Sequence, residues 1–204
     1  SSLILSKLKD YTSGVKKVVV TVPAMFADAA RVATIDAANL AKLDVEIINE
    51  PTAAILHYAN LPGVSISGRV LIFDLGGGTF DITIAGVKGK KIDVITSVGD
   101  KHLGGRRFDE EIIKILDKKY KKAKGSGLDE PLNDEKLFLI AEGIKKMLSN
   151  KEKTSQIIEG PKGPQKIDVT RNEFENSIDT YVEKIKMLME QALDDAKCKP
   201  NNIT

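Results

Sequence analysis

Three consecutive glycines, Gly76, Gly77 and Gly78, interrupt the apolar runs of FDLGGGTFDITIAGV, with Asp74 and Asp81 on either side and Thr79 at the tip. Backbone without side chains lets a ligand oxygen come close, and successive N–H groups can form a concave anion site. The Thr79 hydroxyl adds a donor. Phosphates arrive with Mg²⁺, which prefers carboxylates and water at octahedral geometry. Carboxylates at both ends of such a turn could hold a metal-bound water or orient an attacking one. Two other glycine-rich phosphate motifs do not fit. A G-x-x-x-x-G-K-[ST] loop needs a lysine and a spacing that this turn lacks, and a dinucleotide fingerprint needs a helix directly after the glycines. FDITIAGV alternates apolar and polar residues, which predicts a strand, so the turn joins two adjacent antiparallel strands. The plainer alternative is a flexible turn solvated by its aspartates. The combination of Asp, Thr and Asp around the glycines favours the phosphate reading.

The surrounding elements follow from periodicity. KVVVTV (Lys17–Val22), ended by Pro23, reads as a buried strand. A helix follows with Asp28 as its N-cap and Ala29, Val32, Ala33, Leu40 and Leu43 inward. VEIIN reads as another strand, and EPTAAILHYA as a helix with Pro51 in its first turn. This alternation predicts an α/β fold with a largely covered sheet. Residues 61–68 form a connector to three strands, RVLIFDL, FDITIAGV and KIDVITSV. From Gly104 and Gly105 onward two helices are expected. The first carries Phe108, Ile112, Leu116 and Tyr120 on one face. The second, over 133–148, carries Leu137, Ala141, Ile144 and Leu148. A hairpin turns through residues 160–164. Thr170 and Glu173, spaced as a capping box, open a long helix with Phe174, Ile178, Val182, Ile185 and Leu193 inward, stopped by Pro200. At the other end, Ile4, Leu5 and Leu8 predict a short core-facing helix.

The bulk numbers exclude several classes. The chain has 204 residues, 42% apolar and 29% charged, with a net charge of +2, so a polyanion is not the expected partner and nucleic-acid binding is not expected. No apolar run reaches the ~20 residues of a membrane span. Cys198 is the single cysteine, and with two histidines, His57 and His102, a metal cluster is not expected. Met147, Met187 and Met189 read as core filler.

VVVTVPAMFADAARVATIDAANLAKLDVEIINEPTAAI, LIFDLGGGTFDITI and GDKHLGGRRFDEEI resemble the nucleotide-binding domain of the seventy-kilodalton, DnaK-type heat-shock chaperones. The resemblance runs over nearly the whole chain. It implies a partial actin-like/heat-shock ATPase fold of α/β class, with a ribonuclease H-like motif and an outer α+β subdomain. The implied parcels are 1–60 for the rear of the first lobe, 61–103 for the second lobe's base, 104–170 for the outer subdomain and 171–204 for a returning helix. The implied cofactors are ATP or ADP and Mg²⁺. Glu50 corresponds to the glutamate that reaches the magnesium-water shell, Asp74 to the aspartate at the metal and attacking water, and Asp81 to a second acidic residue there. Gly76, Gly77, Gly78 and Thr79 correspond to a phosphate loop, with Gly104 and Gly105 also at the nucleotide. Pro23 and Arg31 correspond to the pair that relays nucleotide state to a substrate-binding domain.

The face of Glu142, Lys145, Lys146 and Ser149, by itself an ordinary solvated face, matches the family helix that holds adenosine. There the glutamate and first lysine meet the ribose, while the second basic residue and the serine flank adenine. The chain departs from the pattern at Lys146, where arginine is usual, at Arg106 and Arg107, where two acidic residues are usual, and at Met25, where tyrosine is usual. The family's first phosphate loop and its lysine would precede residue 1, and a last adenosine loop would follow Thr204. The chain is therefore expected to be a piece of a longer protein and inactive as an ATPase alone. The resemblance implies J-domain co-chaperones, nucleotide exchange factors and unfolded client peptides as partners, no membrane, and the cytoplasm or, alternatively, an organelle lumen. The rival readings are a kinase of the same fold and a chaperone homologue that hydrolyses nothing.

Overall fold

A computed structural model describes residues 1–12 and 14–204, and the chain divides into two compact units. Unit 1 comprises residues 1–74, 81–99 and 189–204, and unit 2 residues 75–80 and 100–188.

Unit 1 opens with α1 (Ser2–Asp10), then β1 (Lys17–Val22), α2 (Asp28–Leu40), β2 (Asp44–Asn49) and α3 (Glu50–Ala59). β1 and β2 pair in parallel from Lys17 opposite Asp44 to Val22 opposite Asn49. Parallel pairing needs a crossover, and α2 supplies it. Four expectations are corrected here. The β1–β2 pair is not largely covered: Val19 is 57% exposed, because these two strands form a sheet of their own. Asp28 is not the N-cap. Ala27 holds the extended cap position, and Asp28 lies in the first turn, where its charge still complements the helix dipole. Ala29, Val32, Ala33 and Leu40 are exposed, and the inward stripe is Ala37, Ala38, Ala41 and Leu43. Small alanines let α2 lie close to the sheet, a choice that hydrophobicity ranking overlooks. In α1, Ile4 and Leu8 are likewise exposed. Leu5 alone packs against the α2 cluster, while Lys9 Nζ donates to the carbonyls of Ala41 and Lys42.

β3 (Gly68–Leu75), β4 (Phe80–Lys88) and β5 (Lys91–Asp100) form one sheet in that order. Joined by short turns, consecutive strands must run antiparallel. β4 is central. Its pattern is not an alternation of buried and exposed residues: Ile82, Thr83, Ile84 and Ala85 are all buried. Buried Thr83 is satisfied by a 2.9 Å hydrogen bond to the Ser97 hydroxyl. Ile55 of α3 packs on this sheet with Val70, Ala85 and Val87.

Unit 2 contains α4 (Gly105–Lys124), α5 (Glu135–Leu148), the antiparallel hairpin β6 (Lys153–Ile158) and β7 (Gln165–Thr170), and most of α6 (Arg171–Asp195). Its core joins Ile112, Leu116 and Tyr120 of α4 to Leu137, Ala141, Ile144 and Leu148 of α5 and to Ile158 and Val169 of the hairpin. α5 starts later than periodicity suggests. Residues Pro131–Asn133 form a 3₁₀ turn, and the Asp134 side chain caps the helix by accepting from the Lys136 N–H at 2.8 Å. The capping box forms as expected: the Thr170 N–H donates to Glu173 at 2.9 Å and the Glu173 N–H to Thr170 Oγ1 at 3.2 Å. The apolar face of α6 is only half covered. Ala192 is its one buried residue, and Met187, 68% exposed, is not core filler.

Tyr120 fixes the hairpin turn. Its hydroxyl donates to the Gly163 carbonyl at 2.9 Å and accepts from the Lys162 N–H at 3.0 Å. Gly160 passes so close that a Cβ there would stand 2.5 Å from the Tyr120 ring. Tyr120→Phe is expected to cost about 1–2 kcal/mol by leaving these backbone groups unpaired, with the fold unchanged, as read by chemical denaturation.

Candidate functional site

Unit 1 brings three carboxylates to one cavity of about 280 Å³, lined by Pro23, Glu50, Ile72, Asp74, Asp81 and Thr83. Each arrives from the end of an element: Glu50 from the first turn of α3, Asp74 from the end of β3, Asp81 from the start of β4. Like charges in a partly buried place disfavour ionisation. Burial, and then the charges of Asp74 and Asp81, push the Glu50 carboxyl above the usual range, and burial with Asp74 does the same to Asp81. The Oδ1 atom of Asp81 is shielded from solvent and has no hydrogen-bond partner among the described residues. An orphaned oxygen in an acidic cavity is what a hydrated cation would satisfy. Among the described residues, no three His, Cys, Asp or Glu side chains are arranged to chelate a metal directly. The set therefore fits Mg²⁺ held with several of its waters, and not a dedicated cage.

Arg31 braces this cavity. From α2 its guanidinium donates to the carbonyls of Ala24 and Phe26, at 3.2 and 3.0 Å, and to Asn49 Oδ1 at 2.8 Å. These bonds tie the segment after Pro23 to the residue before Glu50. Arg31→Met should lower stability by about 2 kcal/mol and loosen the Glu50 end of the cavity, measured by denaturation and by amide exchange at Asn49.

In unit 2 the glycine turn is held by backbone. The Gly76 N–H donates to the Thr79 carbonyl at 2.9 Å, closing the turn. The first N–H groups of α4 then reach it: Gly105 donates to Gly76 O at 2.9 Å and Arg106 to Gly77 O at 2.8 Å. Helix N-termini leave such donors unpaired, and here the turn receives them. Gly104 explains the close approach. Its dihedrals are extended, which any residue adopts, yet a Cβ would stand 2.6 Å from Gly78 N and 2.7 Å from the Gly77 carbonyl carbon. Among the described residues the N–H groups of Gly77 and Gly78 have no acceptor, and both glycines are exposed. They are free donors on a pinned turn, the arrangement that an anion nest requires. Thr79 is exposed beside them.

A second cavity, about 360 Å³, includes Gly77, Gly105, Arg106, Phe138, Glu142 and Lys145 in its lining. Of the four polar residues expected on the α5 face, two meet in this cleft. Lys145 turns inward, while Lys146 points to solvent and pairs with Glu142 at 2.8 Å, holding that carboxyl below its ordinary range. The Ser149 hydroxyl folds back toward the Lys145 carbonyl at 3.4 Å. The two arginines are satisfied within unit 2. Arg106 lies 3.8 Å over the Phe138 ring and 3.6 Å from Glu135, and Arg107 pairs with Glu110 at 2.7 Å.

One residue escaped the sequence reading. Asp109, on α4, is buried, and its Oδ1 stands 2.7 Å from Lys145 Nζ. A signal for it existed: 109, 113, 116 and 120 share one helical stripe, and a carboxylate on an apolar stripe asks for a partner. A larger cavity of about 710 Å³, involving Ile115, Lys118, Lys122, Glu173 and Asn176, lies away from these groups. Its size alone does not make it a site. It lacks both the free backbone donors and the paired carboxylates.

The family model described as Hsp70 protein matches residues 1–204. The chain belongs to the Hsp70 family. Similar proteins include the "Chaperone protein DnaK" of Thermosipho melanesiensis, 42% identical over 216 aligned residues, and that of Thermotoga maritima, 41% identical over 217. In both cases the alignment covers 100% of this chain and 36% of the relative, so this Hsp70-family chain spans about a third of the length of the curated relatives it matches. The family implies an actin-like ATPase fold, and the mixed α/β architecture with several sheets agrees with that. Among the described residues of the Hsp70 chain, no helix is long and apolar enough to cross a membrane.

Proposed function

We propose that the chain is the nucleotide-binding part of a heat-shock chaperone, and that the whole protein hydrolyses ATP to ADP and phosphate to drive client-peptide binding and release. The observation that carries this is the pinned glycine turn with the free N–H groups of Gly77 and Gly78. Gly76, Gly77, Gly78 and Thr79 receive phosphate oxygens, with Gly104 and Gly105 behind them. Glu142 and Lys145 meet the ribose, and Lys146 and Ser149 flank adenine. Lysine lacks a flat guanidinium, so the base is held less firmly there than an arginine would hold it.

Asp74, Asp81 and, through water, Glu50 hold the metal. Mg²⁺, when bound, neutralises developing charge on the phosphoryl oxygens. Asp74 would accept a hydrogen bond from the attacking water and so orient it. The raised proton affinities of Asp81 and Glu50 report burial and crowded negative charge, which a cation would relieve. Arg31, bonded to Asn49 beside Glu50, and Pro23, which lines the same cavity, are suited to report nucleotide state elsewhere in the whole protein.

The finer fold reading is a ribonuclease H-like motif, with residues 1–60 as the rear of one lobe, 61–103 as the base of the other, 104–170 as an outer subdomain and 171–204 returning to that base. The proposed partners are J-domain co-chaperones, nucleotide exchange factors and unfolded peptides. The proposed compartment is the cytoplasm. Equilibrium dialysis of the 204-residue chain against ATP tests the reading. Retention with Mg²⁺ that falls when the metal is chelated supports it, and retention indifferent to the metal removes the carboxylates from the account.

A further inference from the structure

The glycine turn and the inward-facing lysine of the cleft share an anchor that the proposed site does not require. Lys145 Nζ stands 2.7 Å from Asp109 Oδ1 and donates to the Gly105 carbonyl at 3.1 Å. The same residue, Gly105, donates its own N–H to Gly76 O at 2.9 Å. A chain of polar contacts thus runs from Asp109 through the ammonium and the α4 N-terminus to the phosphate turn. Asp109 and Thr83 are the polar residues that are buried among the described residues, with 12% of the Asp109 side chain still accessible. Burial of a carboxylate is costly unless it is paired, and Lys145 is its partner. An ammonium has three protons. The ammonium is held on one side by the ion pair with Asp109 and on the other by its hydrogen bond to Gly105 O, beside the cleft that Lys145 helps to line.

We propose that Asp109 is a positioning residue of this site: its carboxylate fixes Lys145, and Lys145 in turn fixes Gly105 and the glycine turn that receives phosphate. The inference rests on the nucleotide reading for its ligand and on the contacts above for its geometry. It makes the lysine a structural tie between α5 and the turn as well as a ribose contact. Losing an ion pair that merely offsets its own burial would lower stability and do nothing selective at the turn.

The test uses the 204-residue chain as wild type, Asp109→Asn, Lys145→Met and the double variant. Two readouts are taken on each: Mg·ADP affinity by calorimetry, and hydrogen exchange at the amides of Gly105, Arg106 and Ile144. Asp109→Asn is expected to weaken Mg·ADP about ten-fold and to speed exchange at Gly105 and Arg106 by a similar factor, with Ile144 unchanged. In the Lys145→Met background the same substitution should add nothing further, because the two side chains act as one unit. If Asp109→Asn does not fold, Lys145→Met carries the exchange readout from the other end of the tie. Losses that simply add in the double variant, or exchange that rises equally at Ile144, would overturn the proposal. So would unchanged exchange at Gly105 and Arg106. A wild type that binds no Mg·ADP while the exchange effect appears would sink the nucleotide reading and leave the tie standing.

Discussion

Gly104→Ala should lower the stability of the chain by about 3 kcal/mol and its melting temperature by about 6–12 °C, and should abolish most nucleotide binding. The reason is room. A methyl at residue 104 would lie 2.6 Å from Gly78 N and 2.7 Å from the carbonyl carbon of Gly77. Those atoms are backbone, so no rotamer change relieves the contact. The turn must move off the N-terminus of α4, which breaks the bonds from Gly105 and Arg106 to the Gly76 and Gly77 carbonyls. The free N–H groups of Gly77 and Gly78 then lose the rigid support that holds them together. Thermal denaturation and Mg·ADP titration check both halves. Gly77→Ala is the control: a Cβ there meets nothing within 4 Å, so stability should change little. Equal destabilisation by the two variants would mean that the close approach at Gly104 does not hold the turn.

The second large effect has opposite signs in its two readouts. Asp81→Asn should raise the melting temperature in metal-free buffer at neutral pH by about 2 °C, a modest gain because the carboxylates are partly solvated and screened. It should also weaken Mg·ADP binding by about ten-fold or more, since the orphaned, buried Oδ1 oxygen is the one suited to the cation. The pH dependence follows from the same crowding. Asp81 and Glu50 hold their protons more tightly in the folded state than unfolded. Between the ordinary carboxylate range and the raised folded values, the native state therefore binds more protons. Stability falls across that window as pH rises, and the favourable contribution is fully present only at lower pH. Asp81→Asn should flatten that part of the profile. A variant that melts lower than wild type at pH 7 without metal would show that Asp81 is stabilising and that the crowding account is wrong.

Much of this site was legible because its chemistry is written in short-range spacing. Three glycines between two strands, with carboxylates two residues before and three after, could be read without knowing anything distant. The capping box of Thr170 and Glu173 and the α5 stripe were legible for the same reason. Contacts made at long range were not. Gly104 marks the start of a helical region and, by resemblance, a nucleotide contact, but nothing in LGGRRFD says that the glycine turn lies against it. Asp109 is one more charge on a lysine-rich helix, and its place on the apolar stripe is the available sign. The exposed faces of α1 and α2 mark another limit. Periodicity says which side of a helix is apolar, but not how much surface stands opposite. On α2 the alanines, not Val32 and Leu40, take the close contact. The reversal of charge at Arg106 and Arg107 was visible, whereas its resolution by Phe138, Glu135 and Glu110 needed three dimensions.

The central claim is that the carboxylates and the glycine turn of this chain bind magnesium nucleotide. Calorimetric titration of the 204-residue chain with Mg·ADP, beside Asp74→Ala, tests it most directly. The account predicts saturable one-to-one binding by the wild type, weakened about ten-fold or more in the variant. A wild type that binds nothing, or an Asp74→Ala chain that binds equally well, would contradict it.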